Sequence, residues 1–226
     1  MRPVNLILIT TLLFTSCVST KKYSNFVKPK FEKSASETAE RYSNSISFDL
    51  SNLETIDDIV KSEKLKSQFI PAILFWQWEN NIKCRISPQS VGSMFKSYFI
   101  EYSETLGLSE KLANKTLEVK IEELPSNFVY ANKGYTIIFI IAYTISQLEA
   151  IYPENQDFVI KYKLQENGQE IISEEIRITN KDIPLKNIWS TTGKFTKNYV
   201  EQFENNIKAS ANEAVRMLLD KINNTR

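Results

Sequence analysis

The chain has 226 residues, of which 24% are charged and 42% hydrophobic, with a formal net charge of +1. That composition is globular rather than disordered, suits one ordinary domain plus a targeting segment, and offers no long basic track for nucleic acid, whose affinity rests on many phosphate contacts. There is no histidine, which excludes a Ser-His-Asp triad, a Cys-His pair and every His-ligated metal site.

At the amino terminus Arg2 is followed by an apolar stretch, Val4 to Phe14, broken only by Asn5, Thr10 and Thr11. It is short for a bilayer span, which needs roughly 20 residues. It ends in Phe14-Thr15-Ser16-Cys17, a bulky apolar residue, two small residues and a cysteine. This resembles the lipobox of bacterial lipoproteins. The resemblance implies that residues 1–16 are a signal peptide and that Cys17 begins the mature chain. Cys17 would then carry a thioether-linked diacylglycerol and an amide-linked acyl chain, with no other cofactor. Two or more acyl chains hold a protein stably on a membrane. Val18 follows Cys17 where retained inner-membrane lipoproteins of enteric bacteria have Asp, and Ser19-Thr20-Lys21-Lys22 contains no acid. The implied location is the outer membrane, facing the periplasm, with inner-membrane or surface-exposed anchoring as alternatives. Acylation of Cys17 leaves Cys84 without a disulfide partner, and a lone cysteine is expected to be buried and inert.

Residues 17–45 read as the lipidated cysteine and a flexible tether, because apolar residues are sparse, although a marginal helix is possible within Ser34 to Tyr42. A single domain is expected over 46–226. Ile46 to Leu50 alternates like a strand, and Ser51 to Gln68 reads as a loop with one short helix. Phe69 to Trp78 is rich in β-branched and aromatic residues, Glu79-Asn80-Asn81 suggests a turn, and Ile82 to Ile86 returns, predicting a hairpin. Ser87-Pro88 starts a helix whose wide aromatic face (Val91, Met94, Phe95, Tyr98, Phe99, Tyr102) is expected to be core, and Gly107 ends it. Thr116 to Leu124 alternates as a strand, residues 125–133 read as a loop, and Tyr135 to Ile145 as a central strand continuing toward Tyr152. Asn167-Gly168 is the strongest turn signal and predicts a hairpin between Asp157–Leu164 and Glu170–Ile178. After a loop over 179–194, a long amphipathic helix is predicted from Thr196 to Asn223.

Strand, hairpin, helix, antiparallel strands and helix predict an α+β sandwich, a mixed, mostly antiparallel sheet with two helices packed on one face. This order resembles periplasmic auxiliary lipoproteins of ABC-type transport systems, the amino-terminal domain of the translocation protein TolB, and curli-secretion lipoproteins. The resemblance implies a non-enzymatic envelope module for binding, assembly or transport, with a protein partner. An alternative is a lipid- or glycan-binding lipoprotein that uses an aromatic surface. The candidate contacts are Trp76 and Trp78, two apart on one strand face, with Arg85 and Trp189. A third alternative is a hydrolase without histidine, but nothing marks one. The adjacent acids Asp57-Asp58, Glu122-Glu123 and Glu174-Glu175 point oppositely on extended chain and do not form the facing pair that glycosidases need.

Overall fold

The computed structural model describes residues 18–38, 43–139 and 143–224. The expected signal peptide, Cys17 and residues 39–42 lie outside the described residues. The described chain is α+β. In order it forms α1 (Thr20–Thr38), β1 (Ile46–Asp49), β2 (Val60–Pro71), β3 (Phe75–Ile86), α2 (Pro88–Thr105), α3 (Leu108–Leu112), β4 (Lys115–Glu123), β5 (Asn127–Ile138), β6 (Tyr143–Pro153), β7 (Phe158–Glu166), β8 (Gln169–Ile178), β9 (Leu185–Asn187) and α4 (Thr192–Asn224).

The strands form a sheet of order β1-β4-β7-β8 and a second of order β2-β3-β5-β6-β9. Among the described residues only the β1–β4 pairing is parallel. The sheets share chain segments. β4 runs into β5 past residues 124–126, and β6 into β7 past 154–157. The two segments stay antiparallel partners on both sides of that break, at Glu123 with Val159 and at Phe128 with Pro153.

One apolar core joins both sheets to the helices. Phe95 and Phe99 of α2 pack on Phe158 and Phe48 at ring separations of 5.5 and 5.3 Å, over the four-stranded sheet. Over the five-stranded sheet, Tyr23 of α1 lies 4.7 Å from Tyr130, and Tyr199 of α4 lies 4.8 Å from Phe128. The aromatic face of α2 is therefore core, as its spacing predicts: Val91, Met94, Phe95 and Phe99 are all buried. Asn167 and Gly168 have φ of 52° and 79°, which is the left-handed turn that this dipeptide favours between β7 and β8.

Several expectations change. Residues 20–38 are a helix belonging to the fold rather than part of a tether, so the folded unit begins near residue 18 instead of 46. Tyr23, Val27 and Phe31 are at most 1% exposed and form a narrow stripe at four-residue spacing. Their polar neighbours hide that stripe in a compositional reading. The stretch Ser51–Gln68 contributes most of strand β2 rather than a loop and short helix. As an edge strand carrying Lys61, Lys64 and Lys66, it has the polar content that edges use against aggregation. The hairpin turn falls at 72–74, where the Ala72 amide donates to the Phe75 carbonyl at 2.7 Å, and β3 runs straight through Glu79-Asn80-Asn81. Residues 127–133 are strand rather than loop, and the apolar run from Tyr135 to Ile145 divides between antiparallel β5 and β6.

Candidate functional site

The five-stranded sheet changes character along its length. On its helix-facing side the core ends in a row of polar residues that crosses every strand. Ser67 pairs with Asn80, Asn80 with Asn132, Asn132 with Glu149, and Glu149 with Asn187. Asn80, Asn132 and Glu149 are buried, so each needs partners to offset its desolvation. Asn80 donates its side-chain amide to the Val18 carbonyl at 3.3 Å, and the Trp78 indole N–H donates to Asn132 Oδ1 at 3.1 Å. The Glu149 carboxylate accepts from the Tyr130 hydroxyl at 2.7 Å, the Thr192 hydroxyl at 2.6 Å and the Asn187 side-chain amide. Thr192 opens the long helix α4, whose N-terminal dipole also favours a carboxylate there. Burial, reinforced by Glu149, holds the Tyr130 phenol above its usual pKa.

On the opposite face the same level carries charge. Glu79 pairs in register with Lys133 and accepts from Lys66 at 2.5 Å, an interaction that holds the Glu79 carboxyl below its usual pKa.

Beyond this belt β2, β3, β5 and β6 continue and end in apolar side chains that no described helix buries. Trp78 lies across Gly134, where a Cβ would stand 2.4 Å from the indole ring; a glycine there is what lets the ring pack flat on the sheet. Next come Pro71, Trp76, Thr136 and Ile145 in register, and then the turn. On the other face Phe75 stacks on Tyr135 at 6.5 Å. Ile73 is 93% exposed, Phe139 61%, Ile145 58%, Phe69 55% and Leu74 53%. Scattered exposed apolar residues are ordinary; so many at the adjacent ends of paired strands form a patch of the kind that marks an interaction surface.

The sequence-derived candidates separate. Trp76 and Trp78 do share one strand face, and they sit at the apolar end and on the belt. Trp78 is committed to the sheet through Asn132 and Gly134. Arg85 lies about 23 Å beyond Trp78 and about 30 Å beyond Trp76 along β3, at roughly 3.3 Å per residue, on the opposite face, paired to Glu54. It does not join the tryptophans. Lys83 shares that face and pairs with Glu154 at 2.8 Å. Trp189 is 95% exposed in the bend that follows Asn187, the last member of the polar row. Cys84 is fully buried, and burial pushes its thiol up to about 12.

Sequence reasoning missed the polar row and the apolar end as units. The motif Glu79-Asn80-Asn81 within an apolar stretch was the available signal, but it reads as a turn until register shows its neighbours. An open groove of about 460 Å³ lies just above the row, lined by Val18, Lys22, Phe26, Asn132, Gln147 and Thr192 among others.

Among the described residues no group of acids and cysteines could hold a metal ion, and no helix is long and apolar enough to cross a membrane. No family model matches the chain, and neither a curated protein nor a solved structure matches it significantly.

Proposed function

We propose that this chain is a bacterial lipoprotein, acylated at Cys17 and anchored in the outer membrane facing the periplasm, and that it is a non-enzymatic module for binding or assembly in the envelope. The observation that carries this reading is the exposed apolar end of the five-stranded sheet. An apolar patch of this kind on a folded domain requires a partner phase, whether protein or lipid. The belt beneath it supports the same reading: polar and charged residues on both faces divide a water-facing body from an apolar end. The lipobox-like Phe14-Thr15-Ser16-Cys17 supplies the anchor in this account.

The test has two arms. Cells producing the full chain should incorporate labelled palmitate into the protein and lose that label with Cys17→Ser, and the protein should fractionate with the outer membrane. In the native envelope, photo-crosslinkers at Phe69 or Ile145 should capture a discrete protein or lipid, and crosslinkers at Glu118, on the four-stranded sheet, should not. Failure to incorporate palmitate would overturn the lipoprotein reading. Equal capture from both positions would overturn the assignment of the apolar end as the working surface.

A further inference from the structure

The apolar end and the start of the described chain lie on the same part of the molecule. Val18 is held by Asn80, a member of the polar row, and packs partly into the core. Cys17 is its immediate neighbour in sequence. Acyl chains on Cys17 would therefore leave the protein at the belt, beside the apolar end, with no tether between anchor and fold. We infer that this end docks tip-first into the lipid leaflet that holds the Cys17 acyl chains. This inference rests on the lipoprotein reading above and adds the orientation and depth of the domain.

Several observations select lipid as the occupant. From Asn80 to the turn at Leu74 is about 20 Å at roughly 3.3 Å per residue. A bilayer has a hydrocarbon core of about 30 Å, and about 40–45 Å with its headgroups. The projection therefore passes one headgroup layer and enters the acyl chains without spanning. The charged side chains stop at the belt, and the uncharged polar Gln77, Ser146 and Gln147 lie between it and the tip. Lys66, Glu79 and Lys133 lie at the belt, Trp78 borders it, and Ile73, Leu74 and Phe139 are at the tip. Tryptophan prefers the membrane–water interface, where its ring is apolar and its N–H remains partnered. An interfacial position also accounts for Trp189, 95% exposed and directly after the row.

The strand edges limit the depth. Among the described residues β2 has no strand neighbour on its outer side, and β9 pairs with β6 only from Glu149 to Ile151. Unpaired backbone groups are not tolerated in the hydrocarbon core. Most of both edges must therefore stay in the headgroup layer, about 5–8 Å thick on these figures, and in the water just above it, with only the turn and the last strand residues in the acyl chains. Pro71, which lacks an N–H, stands on the β2 edge where the chain enters the deepest part.

The experiment uses the full chain, lipidated in a bacterial host and reconstituted into phosphatidylethanolamine/phosphatidylglycerol vesicles. Single cysteines replace Ile73, Phe139 or Gln169 and carry an environment-sensitive fluorophore. Acylated Cys17 and buried Cys84 do not compete for the label, and the exposed sites tolerate it. Expected are a blue shift at 73 and 139 and loss of emission there when lipids carry bromine high on the acyl chain, with neither effect at 169, on the distant β7–β8 hairpin. Unquenched emission at 73 and 139 in protein still held on the vesicles would overturn the inference and leave the anchor standing. Stronger quenching from bromine at the chain methyl end would overturn the stated depth. Crosslinks between copies at 73, with no lipid quenching, would replace the leaflet by a second copy. Mass analysis of the mature amino terminus separates these outcomes from failure of the lipoprotein reading itself, since a chain without acyl groups would overturn both.

Discussion

Glu149 is the most heavily engaged buried acid of the belt, and its three donors come from β5, β9 and the start of α4. Glu149→Leu would leave those donors without their acceptor in a dry site, where each unsatisfied group costs about 1–3 kcal/mol. Urea denaturation should show a loss of at least about 2 kcal/mol, and Glu149→Gln, which keeps an acceptor oxygen, a smaller one. Gly134→Ala tests the packing of Trp78. The new methyl would meet the Ser146 carbonyl at 2.3 Å and the indole at 2.4 Å. Overpacking of this kind costs about 1–3 kcal/mol, and Trp78 fluorescence should shift as its ring leaves the strand. These side chains were individually visible in the sequence. Their partnership was not, because it is made by register across strands that are far apart in the chain.

At the scale of elements, α1 carries the sharpest departure from expectation. Its polar composition resembles a tether, yet Phe31 is 1% exposed and lies 6.0 Å from Phe203 of α4. If the helix is integral, Phe31→Ala should lower stability by about 3–5 kcal/mol, measured by chemical unfolding; a tether would show almost no change. Strong periodicity made α2 and α4 legible from sequence, and Asn167-Gly168 did the same for the β7–β8 hairpin. The strands β2 and β5 were obscured for different reasons. An edge strand is polar on purpose, and β5 changes from core to apolar projection partway along, so neither keeps a uniform alternation.

At the scale of the whole molecule, the buried phenols and thiol predict an alkaline limit to stability. Burial raises the pKa of Tyr23, Tyr130 and Tyr199, and raises that of Cys84 to about 12. In the unfolded chain cysteine titrates near 8.5 and tyrosine near 10. Between those values and the folded ones the native state binds more protons, so its stability is fully present below pH about 8 and falls as pH rises. The urea midpoint should be lower at pH about 10.5 than at pH about 7.5. For the same reason Cys84 should resist a maleimide at pH about 8 in the folded protein and react once it unfolds.

The sequence by itself determined the α+β class, the two long amphipathic helices and the buried state of Cys84. Each follows from local periodicity, or from the preference of a small apolar thiol for the interior. Its pattern also pointed to a lipobox-like amino terminus and to Trp76 and Trp78 on one strand face. Only the tertiary structure decided that α1 belongs to the fold, that Arg85 is far from the tryptophans, and that Ser67, Asn80, Asn132, Glu149 and Asn187 form one row beneath an uncovered apolar end. The physical reason is that a boundary between polar and apolar surface on a sheet is set by pairing register. Register depends on contacts between distant segments, which no local window of the chain contains.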